Sequence, residues 1–117
     1  MVYCSEHLSL AALEILVHTQ PVTIRDKFRV FRVSWEGKMM ITIDLKKLPK
    51  GWNAQPPSSI SKNVGDNWVR SAQSVVLAIP SVIVPAERTF LLSPDHHDFG
   101  KIKIKDTGSF YLDPRLR

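Results

Sequence analysis

The run Val75-Val76-Leu77-Ala78-Ile79-Pro80-Ser81-Val82-Ile83-Val84-Pro85 is the most apolar stretch of the chain. Rich in β-branched residues, punctuated at Pro80 and closed by Pro85, it reads as a buried strand. Proline has no N–H to give to a ladder, so the strand is expected to end or bulge at Pro80. Ser81 then sits at the break, where its hydroxyl is either presented to a cleft or satisfies nearby backbone groups. A buried strand needs a core around it. At 117 residues the chain has material for one domain, burying roughly two thirds of the surface its unfolded form exposes. The expectation is a single compact α+β domain over residues 1–117, with mixed or antiparallel β-sheets and a few helices.

At the start of the chain, Val2 to Cys4 reads as a short strand. A helix follows, capped by Ser5 or Ser9, running to about His18 and stopped by Pro21. At about 100° per residue, His7, Ala11, Glu14 and His18 form one narrow polar stripe on an otherwise apolar helix. Desolvating the Glu14 carboxylate is costly, so the stripe faces either bulk water or a polar cleft.

Further along, "KFRVFRVSWEGKMMITIDL" holds two β-rich runs around Glu36-Gly37-Lys38. A hairpin is expected there, with the apolar phase shifting near Phe31 as at a bulge. "KKLPKGWNAQPPSSISKN" is loop by composition, with Trp52 packing it to the core or serving as a binding platform. Gly65-Asp66 reads as the turn and cap of a short helix that carries Trp68 inward. "RTFLL" is a further strand, followed by a turn at Ser93-Pro94-Asp95. The alternation Lys101 to Lys105 reads as a half-buried strand with a wet lysine face, and a terminal strand is expected from Phe110 to Leu112.

The net charge of +5 invites a polyanion partner. The basic residues are nevertheless spread from Arg25 to Arg117, which argues against direct nucleic-acid binding. A small basic nucleic-acid-binding module stays as a third reading, marked by a steep salt dependence. No apolar run reaches the roughly 20 residues of a membrane span, and no signal peptide is legible, so a cytoplasmic protein is expected. The single cysteine, Cys4, excludes an intrachain disulfide and reads as a small buried hydrophobe. His96, His97 and Asp98 are adjacent, but ligands so close on a turn rarely converge on one ion, and no metal is expected. Neither a glycine-rich phosphate loop nor a G-x-S-x-G elbow is present.

Taken together, "VYCSEHLSLAALEILVH", "LPKGW", "VGDNWVRSAQSVVLAIPSVIVPAERTFLLSP", "HHDF" and "FYLDPRL" resemble, in order and spacing, the RES domain, a family named for its Arg, Glu and Ser residues. The resemblance runs from Tyr3 to Arg115. It implies a fold like that of ADP-ribosyltransferase toxins and an NAD⁺-consuming toxin of a type II toxin–antitoxin module. Such a toxin cleaves the nicotinamide–ribose bond by hydrolysis, phosphorolysis or ADP-ribosyl transfer, and its partner is an Xre-like helix-turn-helix antitoxin. NAD⁺ would then be substrate rather than resident cofactor. Residue by residue, the resemblance implies Glu14 as the family glutamate, Ser81 as the serine and Tyr3 as the tyrosine bordering the nicotinamide pocket.

Three positions depart from the family. Its arginine lies upstream of the tyrosine, whereas Met1 stands directly before "VYCS" here, so no arginine is carried over. Arg88-Thr89 stands where the family often has an asparagine, and Ser93-Pro94 where it often has Asn-Pro. The alternative expectation is therefore a catalytically inactive, N-terminally short RES remnant that still binds the antitoxin. An open sheet edge at the short N-terminus would favour a homo-oligomer.

Overall fold

The computed structural model describes residues 1–18, 28–54 and 59–116. In chain order they form β1 (Val2–Ser5), α1 (Leu8–His18), β2 (Phe28–Ser34), β3 (Met40–Thr42), α2 (Ser59–Ser71), β4 (Val76–Pro80), β5 (Arg88–Leu92) and β6 (Lys103–Phe110). The arrangement is α+β. One sheet has the order β1-β5-β4-β3, and β2 pairs with β6 in a separate two-stranded ribbon.

The apolar run builds the interior. Val76, Leu77 and Ala78 are at most 1% exposed because β4 is central, flanked by β5 on one side and β3 on the other. Successive strand residues point to opposite faces. Val76 and Ala78 therefore pack with Phe90, Leu92, Met39 and Ile102 on one side, while Leu77 packs with Leu91 and Trp68 on the other. Each Val or Leu buried in this way contributes roughly 1.5–3 kcal/mol. The strand stops at Pro80, as its missing N–H requires.

β3 and β4 run parallel, in register from Met40↔Val76 to Thr42↔Ala78. Parallel neighbours need a crossover, which α2 supplies. Trp68 on α2 is buried, and its indole Nε1–H donates to Ser74 Oγ at 2.8 Å. Ser74 in turn donates to the Val76 carbonyl at 2.8 Å. Beyond the helix, Ala72 adopts a left-handed φ of 51°. Its carbonyl is satisfied from a distant turn by His96 Nε2–H at 3.0 Å.

Several expectations are corrected. The runs around Glu36-Gly37-Lys38 do not form a hairpin: β2 pairs with β6, and β3 with β4. Between them Gly37–Met39 makes a tight turn that buries Met39 and carries the chain from ribbon to sheet. The bulge near Phe31 is present, as a register shift between Val30 and Phe31. Gly65 and Asp66 lie inside α2 rather than at its start, so the end of the expected loop is helical. A Cβ at Gly65 would stand 3.0 Å from Met1 Cε, and this close approach is what the glycine accommodates. The first helical bond of α1 runs from Ala11 N–H to the His7 carbonyl, so His7, and neither Ser5 nor Ser9, occupies the cap position. No separate strand covers Phe110 to Leu112; β6 ends at Phe110. Of the two isoleucines in the Lys101–Lys105 alternation, Ile102 is buried in the core and Ile104 is 57% exposed, so only the first packs inward as the alternation suggests. Pro21 lies outside the described residues.

Candidate functional site

Helix α1 is apolar around most of its circumference, yet Leu10 is its one fully buried residue, and Leu8 and Val17 are more than half exposed. Leu8 and Val17, with Ile15, border a cleft rather than the core. His7, Ala11, Glu14 and His18 all line the same open cleft of about 1840 Å³, whose other walls come from β1, β5 and the β2–β6 ribbon. That volume exceeds the roughly 300–1,000 Å³ of a ligand pocket, so a ligand would occupy part of a trough.

Glu14 is half-buried on this wall, with its side chain 29% exposed. One turn on, His18 Nε2 lies 2.9 Å from Glu14 Oε2. Tyr3 lies on β1 opposite Leu91 and is 66% exposed, which leaves its ring free at the cleft. The structure thus brings two of the three expected site residues, Tyr3 and Glu14, to one cavity.

Ser81 is placed differently. It is wholly buried, and its Oγ accepts from Ile83 N–H at 3.1 Å and Val84 N–H at 3.2 Å. Its own N–H donates to the Glu87 carbonyl at 2.8 Å. The hydroxyl staples the turn after β4, and it is the staple's neighbours Pro80, Val82 and Ile83 that line the cleft. Of the two readings of Ser81 left open by sequence, this geometry is that of local backbone satisfaction.

Sequence reasoning gave Glu6 no role and met Arg88 only as a departure from the family. Arg88 grips both oxygens of Glu6: its backbone N–H donates to Oε1 at 3.0 Å, and its Nε and a terminal guanidinium N–H donate to Oε2 at 3.0 and 2.8 Å. The Arg88 hydrogen bond holds the Glu6 carboxyl below the usual glutamate range, against a smaller upward push from burial. Position 6 lies on the cleft wall, but its partner is 82 residues away in sequence, so no local pattern announces the pair.

Positive charge is uneven around the trough. Arg29 is engaged by Asp106 at 2.6 Å, whereas Arg32, also lining the cleft, has no ion pair among the described residues. Trp52 is half-buried and lines the cleft as well, so anchoring the loop and offering a ring are compatible roles. Cys4 packs against the core, and burial pushes its thiol up, leaving it protonated and unreactive at neutral pH.

The ligating atoms of His96, His97 and Asp98 lie within 4.8 Å of one another, closer than adjacency on a turn led us to expect. His96 is nonetheless unsuited to an ion. His96 Nδ1 accepts from Asp98 N–H at 3.0 Å, which places the ring proton on Nε2, where it is donated to Ala72. Neither nitrogen has a lone pair left to give.

A family model described as the RES domain matches residues 1–113. A protein named Toxin Res from Yersinia enterocolitica is 32% identical over 117 residues, covering 99% of this chain and 77% of the relative. Toxin Res from Photorhabdus laumondii is 34% identical over 116 residues, covering 98% and 74%. A protein named Prs ADP-ribosylating toxin, from a Sphingobium species, is 29% identical over 119 residues, covering 99% and 74%.

Proposed function

The chain belongs to the RES domain family, and from that premise we propose that it is an NAD⁺-consuming toxin that breaks the nicotinamide–ribose bond. The observation that carries this reading is the placement of Glu14 and Tyr3 on one open cleft. The relative named as an ADP-ribosylating toxin supports the substrate class, since ADP-ribosylation draws on NAD⁺.

The chemistry needs few groups. Nicotinamide departs with the bonding electrons, and the ribose C1′ becomes oxocarbenium-like, a charge absent from the ground state. A fixed carboxylate at Glu14 stabilises that charge where it develops. The close approach of His18 Nε2, 2.9 Å from Oε2, limits the rotation of the carboxylate. Water, phosphate or a protein nucleophile then adds at C1′ and loses its proton, for which Glu14 is the acceptor within the site. Tyr3 offers a ring on which nicotinamide stacks. Arg32 supplies positive charge for the pyrophosphate, and the turn stapled by Ser81 shapes the floor. Neither step calls for a metal.

The partner in this reading is an Xre-like helix-turn-helix antitoxin that closes the trough, and the site of action is the cytoplasm. Among the described residues no helix is long and apolar enough to cross a membrane.

Nicotinamide release from NAD⁺ by the purified chain, with and without phosphate and beside Glu14→Ala, tests the proposal. Release that disappears in a folded Glu14→Ala variant is expected, and phosphate dependence then separates phosphorolysis from hydrolysis. A folded wild-type chain that releases none would overturn the enzymatic reading in favour of an antitoxin-binding role.

A further inference from the structure

We propose that Glu6 and Arg88 form a positioning clasp that fixes the start of α1 against β5 and thereby sets where Glu14 stands in the cleft. This rests on the reading of Glu14 given above and extends it to two residues that need not touch substrate.

The clasp begins where the ladder ends. β1 and β5 pair antiparallel through Ser5↔Thr89, so Glu6 and Arg88 are the next rung. That rung is closed twice, by the backbone bond from Glu6 N–H to the Arg88 carbonyl at 3.1 Å and by the side-chain fork. The guanidinium is held on its other side as well, 5.2 Å from the centroid of the buried Phe90 ring. Arg88 thus bridges the core and Glu6, with two guanidinium N–H groups converging on the single oxygen Oε2 while the backbone N–H takes Oε1, a planar arrangement that lysine cannot reproduce.

Among the described residues α1 is only shallowly buried. Leu10 is its one fully buried side chain, and Leu8, Leu13 and Val17 are 52%, 39% and 53% exposed. Orientation at the N-terminus is therefore transmitted along the axis. At 1.5 Å per residue, Glu14 stands about 10 Å from His7, so a tilt of about 10° at the clasp displaces its carboxylate by about 2 Å. Misplacement of about 1 Å can cost on the order of a hundredfold in rate.

The test compares wild type with Arg88→Lys, which keeps the charge and removes the fork, and with Glu6→Gln. Two readouts are taken: amide hydrogen exchange and the kcat and KM of nicotinamide release. Amides of residues 11–18 are expected to exchange about tenfold faster in Arg88→Lys, with those of β4 unchanged. The expected kinetic effect is a fall in kcat with KM little altered. Unchanged exchange in α1, or acceleration shared equally by β4, overturns the clasp. A rise in KM alone overturns its positioning role. Selective loosening of α1 in a chain that leaves NAD⁺ intact supports the clasp and refutes the proposed function instead.

Discussion

His18 Nε2 stands 2.9 Å from Glu14 Oε2, one helical turn beyond it on the same wall of the cleft. The pair is half in solvent, so its value to stability is small, about 0.3–0.5 kcal/mol for a favourable spacing of four. Its consequence lies in orientation. His18→Ala is expected to lower nicotinamide release roughly tenfold with melting little changed, because removing the contact frees the carboxylate to rotate away from its productive position. His18→Gln, whose amide N–H can occupy the place of Nε2, is expected to keep most of the rate. A fully active His18→Ala protein would remove the imidazole from the site.

The Glu6–Arg88 clasp carries a pH signature. The groups facing Glu6 are Arg88 and the neighbouring His7, and its carboxyl is lowered in the folded state. A lowered acid stabilises the fold fully above its unfolded value, near pH 4.3, and loses that contribution as pH falls through the folded value. The difference in melting temperature between wild type and Glu6→Gln is therefore expected to be largest near pH 7 and to shrink below about pH 4. A difference that holds constant down to pH 2.5 would contradict an ionised clasp.

The outline of the fold was legible in sequence where local chemistry decides it. Pro80 ends a strand because it lacks an N–H, and the apolar phase shift at Phe31 is the bulge itself. Tertiary partners escaped the reading. Nothing near Val33 says that it pairs with Ile104 rather than across Gly37, and nothing near Glu6 points to Arg88. The stripe through Glu14 and His18 was visible at helical spacing, but which side of the helix meets the cleft depends on β1 and the ribbon. For Ser81, sequence placed the residue at the break and left the direction of its hydroxyl undecided. That direction follows from how residues 82–84 wrap back over it.

Gly65 lies inside α2 with the end of the Met1 side chain close against it. Glycine inside a helix costs about 1 kcal/mol relative to alanine. The Cβ of Gly65→Ala would meet Met1 Cε at 3.0 Å and Sδ at 3.4 Å, atoms at the flexible end of a side chain, with Leu91 Cδ1 at 4.0 Å. The methionine can swing aside, so Gly65→Ala is expected to stabilise the protein by about 0.5–1 kcal/mol, or a few degrees in Tm. A lower Tm would show that Met1 is fixed against α2.

Ser81→Ala separates a ligand-binding serine from a structural one. The hydroxyl accepts two backbone N–H groups at a position with no exposed surface, and alanine leaves both without a partner. Orphaning these two half-buried donors costs about 1 kcal/mol, the low end of the penalty for a lost partner, which in a domain of this size lowers Tm by about 5 °C. The turn also carries Val82 and Ile83 into the cleft, so some loss of substrate affinity accompanies the loss of stability. Well below the melting transition, nicotinamide release is expected to fall less in Ser81→Ala than in Glu14→Ala, because the proposed reaction sets Glu14 against the ribose whereas the Ser81 hydroxyl is taken up by backbone N–H groups. Thermal unfolding followed by circular dichroism, with rates measured at low temperature, checks both halves. An unshifted Tm with abolished release would overturn the staple and return Ser81 to direct contact with the ligand.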